Sequence, residues 1–293
     1  MRGVKHSWLA GAVFLAACAG GRKPSHPTIT VTDDVGRTVS LAAPAHRIVS
    51  LAPSSTELLF AVGAGPEVVG RTTWCRYPAA ALAVPVVGDG LDPNIESVAA
   101  THPDLVVLYR SPSNAAALAQ LERLSIPAAV LRQDRLGDVA RDARLLGTLT
   151  GHVAAGDSIA RALDSLTASP PPAPRIRIAF VVWDNPPIVI GAGSFLDELG
   201  RRAGAENVFH DLSQASAPVS LESIASRNPD VIAVVDDSSA ATAPAFARRP
   251  EWKVVRAVGA GRIIHLPGDL FGRPTPRAAE AIAVFARLLG GPR

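Results

Sequence analysis

The stretch Asn94-Ile95-Glu96-Ser97-Val98-Ala99-Ala100-Thr101-His102-Pro103-Asp104-Leu105-Val106 is matched 126 residues later by Ser220-Leu221-Glu222-Ser223-Ile224-Ala225-Ser226-Arg227-Asn228-Pro229-Asp230-Val231-Ile232. Glu, Ser, Ala, Pro and Asp stand at identical places, and most other pairs are conservative. Each copy opens on a residue suited to capping a helix, Asn94 or Ser220. A short helix follows, stopped by a proline that cannot prolong it, and an apolar run comes next. One such unit used twice predicts two related halves.

Outward from the first copy, short apolar runs occur at 48–51, 68–70, 84–87, 105–109 and 128–131; around the second they occur at 176–182, 188–190, 231–235 and 263–266. These runs are apolar on both faces, which suits strands buried in parallel sheets between helices. From Asp138 to about Ala168 the apolar residues recur at spacings of three, four or seven, which predicts one amphipathic helix. A helix of about 30 residues would span roughly 45 Å. It stops at Ser169-Pro170-Pro171-Pro172. The expected organisation is α/β, with an N-terminal lobe over 28–137, a bridging helix over 138–169 and a C-terminal lobe over 170–293. A hairpin precedes the first lobe, because Thr28-Ile29-Thr30-Val31-Thr32 and Arg37-Thr38-Val39-Ser40-Leu41 flank the turn sequence Asp33-Asp34-Val35-Gly36.

The first eighteen residues read as an address. Arg2 and Lys5 precede an apolar run over 8–17, which is shorter than the ~20 residues a bilayer span needs. The run closes on Leu15-Ala16-Ala17-Cys18, which resembles the bacterial lipobox and implies cleavage before Cys18 and its acylation. Residues 19–27 are polar and breaker-rich, as a tether should be. Cys75 is the only other cysteine, so no internal disulfide is expected.

Composition narrows the function. Hydrophobic residues make up 48% and charged residues 19% of the chain, and the net charge is +3. Arginines are scattered rather than clustered, which argues against nucleic acid as a partner. The seven histidines show no metal-ligand spacing. No glycine-rich nucleotide loop, Walker loop or Gly-x-Ser-x-Gly elbow occurs, so catalysis is not expected.

Glu96 and Glu222 fall in the first turn of their helices, where the helix dipole favours a carboxylate by about 0.3–1 kcal/mol. Their presence in both halves also suits a two-point dock onto a symmetric partner, with arginine as the counterpart. Glu57 closes Ser54-Ser55-Thr56-Glu57, which matches a capping box and predicts a structural role.

The runs Ile29-Thr30-Val31-Thr32-Asp33-Asp34-Val35-Gly36-Arg37-Thr38-Val39 and Arg47-Ile48-Val49-Ser50-Leu51-Ala52-Pro53-Ser54-Ser55-Thr56-Glu57 resemble the cobalamin and ferric-siderophore binding proteins of ABC importers, the helical-backbone or class III type, and within them the vitamin B12-binding branch. The resemblance covers roughly residues 28–290. It implies two Rossmann-like lobes joined by one long α-helix, ligand held in the cleft between them, and little closure on binding. It also implies that Glu96 and Glu222 dock on the permease dimer, which works with ATPase subunits. Ligand contacts are implied at Trp74, Tyr109, Arg110, Trp183, Phe271 and Arg273. The chain departs from that branch at Ser216-Ala217-Pro218 and Gly88-Asp89-Gly90, where tryptophans are missing. The expectation is a monomeric, extracytoplasmic, lipid-anchored protein that captures a corrinoid for import. A ferric siderophore or haem is the alternative cargo, and no resident cofactor or protein-bound metal is expected. A surface scaffold lipoprotein would need neither the cleft aromatics nor the paired glutamates.

Overall fold

The runs that are apolar on both faces become the central strands of two sheets. The computed structural model describes residues 28–90, 92–236 and 244–290; the expected export signal, Cys18 and the expected tether lie outside them. β1 (Ile29–Thr32) and β2 (Thr38–Leu41) pair antiparallel with Ile29 opposite Leu41. Asp33 closes their turn by accepting from the Arg37 amide at 2.8 Å, and it stitches the hairpin to the sheet through the Val130 amide at 3.2 Å.

In the first lobe the chain runs β3 (Ile48–Ser50), α1 (Pro53–Val62), β4 (Val68–Thr72), β5 (Val86–Gly88), α2 (Ile95–Ala100), β6 (Leu105–Tyr109), α3 (Pro112–Arg123) and β7 (Ala128–Leu131). Its strands form a wholly parallel sheet in the order β5-β4-β3-β6-β7. After α4 (Leu136–Thr150) and α5 (Val153–Ala168), the second lobe runs β8 (Ile176–Asp184), β9 (Pro187–Ile190), α6 (Phe195–Arg202), β10 (Ala205–Asn207), β11 (Ser216–Pro218), α7 (Leu221–Arg227) and β12 (Val231–Asp236). It ends with α8 (Arg256–Gly259), β13 (Ile263–Pro267), α9 (Gly268–Phe271) and α10 (Ala278–Leu288). The order is β11-β9-β8-β12-β13, with β10 beside the first half of β8. β8, β10, β11, β12 and β13 run in one direction, while β9, paired antiparallel with both β8 and β11, runs the other way. The two Rossmann-like lobes are therefore as expected. β10 and β11 leave no trace in the sequence pattern, because Ala-Glu-Asn and Ser-Ala-Pro have no strand propensity of their own and become strands by pairing with neighbours.

The bridge differs from its expectation. Residues 138–168 do not form one 45 Å rod but two helices that fold back on each other. Gly151 adopts φ 78° at the end of α4, a left-handed conformation that stops a helix. The pair packs closely enough that a Cβ on Gly156 would lie 2.3 Å from the Ala143 carbonyl oxygen. Arg144 reaches across to Asp164 at 2.6 Å. The glycines that weaken this stretch as a lone helix are thus what lets its two halves touch. Gly156→Ala should lower the unfolding free energy by about 1–3 kcal/mol, as overpacking does, measured by urea denaturation.

One apolar cluster runs from Ile48 and Leu59 through Leu146 and Ala160 to Phe180 and Phe285, so the lobes share a core through this helical pair. Arg202 of α6 reinforces the junction by donating to the Leu166, Thr167 and Ser169 carbonyls at the end of α5.

Candidate functional site

In the first sheet the chain moves from β3 to one side through β4 and β5, and to the other through β6 and β7. The loops after β3 and β6 therefore diverge at the carboxyl edge, the place where open α/β sheets leave a crevice. A cavity of about 420 Å³ lies there, walled by Leu51, Pro53 and Ser54 after β3, Tyr109 and Ser111 from β6 onward, and Trp74 after β4. Trp74 is 53% exposed, an unusual state for so large an apolar side chain.

Two of the expected contacts, Trp74 and Tyr109, meet in this cavity. The Tyr109 hydroxyl donates to Asp134 Oδ1 at 3.1 Å, and Arg110 stands 3.7 Å from the other oxygen of the same carboxylate. Burial first, and then the Asp134 charge, push the Tyr109 phenol above its ordinary range, so it stays a neutral donor. Asn114 fixes the strand end by donating to the Tyr109 carbonyl at 2.7 Å. Cys75 turns inward from the same loop as Trp74; it is buried, with its Sγ 3.1 Å from Thr72 Oγ1.

Trp183 lines a separate depression at the carboxyl edge of the second sheet, about 230 Å³ in volume, with Val234, Asp236 and Phe246. The ring is 59% exposed, and its Nε1 donates to the Asn185 carbonyl at 2.9 Å. Asp236 is held by His265 Nδ1 at 2.8 Å, and Asp184 by Arg249 at 2.8 Å.

Two expected contacts belong elsewhere. Phe271 is fully buried, edge-on to Phe285 with centroids 5.8 Å apart, and offers no surface to a ligand. Arg273 faces Glu57, with Nε 3.3 Å from Oε2. Both follow from α9, a single turn too short to carry a readable periodicity. Glu57 itself is no cap: α1 begins at Pro53 after Ala52, without a side-chain cap, and the Glu57 carboxylate is buried among residues from the other lobe.

The repeated units fold alike in detail. Asn94 Oδ1 accepts from the Ser97 amide at 2.9 Å, and Ser220 Oγ from the Ser223 amide at 3.1 Å. Glu96 and Glu222 lie exposed in the first turns of α2 and α7. The helices are followed by His102 and Asn228, both at φ 48°. Asp104 then accepts from the Arg47 amide at 2.9 Å, and Asp230 from the Arg177 amide at 3.1 Å. Arg47 and Arg177 in turn donate to the carbonyls of His102 and Asn228. Each helix is thus bracketed to the first strand of its sheet, and the two carboxylates occupy equivalent places on the two lobes. Its own backbone N–H, and then the Ser220 hydroxyl, hold the Glu222 carboxyl below its ordinary range.

Among the described residues no group of three or more His, Cys, Asp or Glu side chains is placed to hold a metal ion, and no helix is long and apolar enough to cross a membrane.

Residues 48–270 match the family described as Periplasmic binding protein. The chain is 28% identical over 304 residues to an uncharacterized ABC transporter substrate-binding lipoprotein of Bacillus subtilis (strain 168), covering 97% of this chain and 95% of that one. The crystal structure of the periplasmic vitamin B12 binding protein of Vibrio cholerae superposes with a TM-score of 0.68 at 26% identity, over 84% of this chain and 97% of that one. A periplasmic heme-binding protein of Roseiflexus sp. RS-1 in apo form shares the fold, with a TM-score of 0.71 at 24% identity over 83% and 99% of the two chains.

Proposed function

Since the chain belongs to the periplasmic binding protein family, whose members are solute-binding proteins rather than enzymes, we propose that it captures a corrinoid between its two lobes and delivers it to an ABC import permease. The observation that carries this reading is the cavity at the switch point of the first sheet, with Trp74 exposed beside the neutral Tyr109 hydroxyl. A corrin ring is broad and largely apolar, with amides around its rim. Exposed aromatic faces on both lobes, Trp74 and Trp183, with polar groups such as Ser54, Tyr109 and Ser111 beside the first, suit such a molecule.

The donor chemistry separates the alternatives. Haem iron commonly takes an axial ligand from protein, for which histidine or tyrosine would serve. Neither cavity is lined by a histidine, Tyr109 is committed to Asp134, and the Tyr77 ring is covered by Arg277. The site therefore favours a metal already saturated by its own chelator, as in a corrinoid or a ferric siderophore. The likeness to the vitamin B12 binding protein of Vibrio cholerae favours the first.

Glu96 and Glu222 serve in this reading as the two contacts with the permease dimer, whose ATPase subunits drive uptake. Cys18 carries the lipid anchor that keeps the protein on the outer side of the membrane, and the lipoprotein of Bacillus subtilis, matched along nearly the whole chain, supports that assignment. The protein works as a monomer, because each lobe supplies one of the two docking helices.

Isothermal titration of the secreted form with cyanocobalamin tests the proposal. Binding below about 1 µM, or roughly −8 kcal/mol, is expected. Trp74→Ala should weaken it about ten- to hundredfold, the loss of one well-packed aromatic contact. Binding of a ferric siderophore with none of cobalamin would keep the importer role and overturn the corrinoid.

A further inference from the structure

The seam between the lobes holds a charged cluster that neither the cleft nor the docking faces use. Glu57 sits one turn inside α1, the helix that starts at the cavity wall with Pro53 and Ser54, and it is 2% exposed. Its partners come from the segment between α9 and α10, more than 200 residues later. Thr275 Oγ1 donates to Oε1 at 2.5 Å, and Arg277 Nε to the same oxygen at 2.7 Å. Arg273 adds a second guanidinium on the other oxygen.

Arg277 also reaches two further places. Its Nη2 donates to the Asp269 carbonyl at 2.8 Å, and its guanidinium carbon lies 3.6 Å from the centroid of the Tyr77 ring. Tyr77 belongs to the loop after β4 that presents Trp74, three residues earlier. One side chain of the second lobe therefore grips both the helix and the loop that wall the cavity of the first.

Stability alone does not account for this arrangement. Taking three ionised groups out of water costs about as much as their attraction returns, so such clusters are weak evidence for stability. What the cluster does fix is geometry. The cation–π contact and the bond to Glu57 both require a planar guanidinium at one position and orientation.

We infer that Arg277 is a positioning residue of the ligand site: through Glu57 and Tyr77 it holds the Trp74 loop and the spacing of the lobes before any ligand arrives. This rests on the reading of the Trp74 cavity as the ligand site. A wall already ordered loses less freedom on binding, so the clamp contributes affinity without touching the ligand.

Arg277→Met keeps most of the apolar stem and removes the cation. Hydrogen exchange in the ligand-free protein should rise about tenfold in residues 73–78 while the paired helices over 136–168 exchange as before. Cyanocobalamin affinity should fall about tenfold. Tyr77→Leu, which leaves Glu57 and Arg277 paired, should reproduce both effects, and Tyr77→Phe, which keeps the aromatic face, should reproduce neither. Should Arg277→Met fail to fold, the two Tyr77 variants decide the matter. Exchange unchanged in 73–78, or raised equally throughout the chain, overturns the inference, as does a loosened loop with full affinity. If the unaltered protein does not bind cobalamin, the choice of ligand fails, while the exchange measurements still decide the clamp.

Discussion

Replacing Glu96 and Glu222 together with alanine is expected to abolish stimulation of the cognate importer's ATPase in proteoliposomes while cyanocobalamin affinity stays within about twofold. The two carboxylates are exposed on separate lobes, at the starts of helices whose capping bonds run from the Ser97 and Ser223 amides to Asn94 and Ser220. The helices should survive the change, because Asn94 and Ser220 still cap them and Asp104 and Asp230 still tie the segments to their sheets. A charge-assisted hydrogen bond contributes roughly 1.5–3 kcal/mol, so each single variant should weaken docking by about ten- to a hundredfold. The double variant loses more than one step, because the second contact forms at the high effective concentration that the first creates. Raised salt should mimic the single variants, since exposed charges are screened within about 10 Å at 0.1 M. Loss of cobalamin binding in the double variant would instead place the glutamates in the ligand site and sink the docking assignment.

Much of this arrangement is legible in the chain because it is local. A cap, a helix stop and a buried strand are each written within a few residues, so the repeat survives as sequence similarity. Strands apolar on both faces stand out for the same reason. The bend at Gly151 is hidden by the stripe around it. Leu146, Leu149, Ala160 and Leu163 keep helical spacing on both sides of the turn because both helices bury their apolar faces in the same core. Trp74 and Tyr109 can be found as bulky rings at strand ends. Asp134, which fixes the Tyr109 hydroxyl, cannot, because it comes from the loop after β7 and only the sheet order brings it near. Glu57 shows the opposite failure. Ser-x-x-Glu is a valid capping pattern, but α1 already begins at Pro53, ahead of the serine that would cap it, and the carboxylate is drawn to arginines no local window contains.

Asp142→Asn is expected to stabilise the protein strongly in alkali and hardly at all in acid. Asp142 lies fully buried on α4, with Oδ1 3.2 Å from Arg141 and Oδ2 without a hydrogen-bond partner. Arg141 is already shared: it donates to Asp34 at 2.6 Å and to Asp138 at 2.7 Å, while Arg132 donates to Asp138 at 2.9 Å. Three carboxyls thus face two guanidinium groups. Burial works to raise Asp138, but the hydrogen bonds from Arg141 and Arg132 outweigh it and hold that group below its ordinary range. Asp142 gains less from the arginines. Burial, and then the Asp34 charge, push it up to about 8. With a folded value above the unfolded 3.8, the native state keeps a proton that the unfolded chain releases. The stability this proton supplies is therefore fully present below about pH 4, declines as the pH climbs, and is lost by the time the pH passes 8. An asparagine carries the neutral form at every pH. Its advantage at pH 9 should exceed that at pH 4.5 by roughly 3–5 kcal/mol, because each pH unit between the unfolded and folded values counts for about 1.36 kcal/mol. Chemical denaturation at the two pH values measures it. Parallel stability curves, with the variant weaker at both, would mean that Asp142 is ionised and that Arg141 needs its charge. A gap that opens as the pH rises would show that the helix beneath the cavity wall is held by a proton rather than by a third salt bridge. Gln133 makes the connection to the cavity, since its side chain faces Asp142 on one side and accepts the Ser54 hydroxyl on the other.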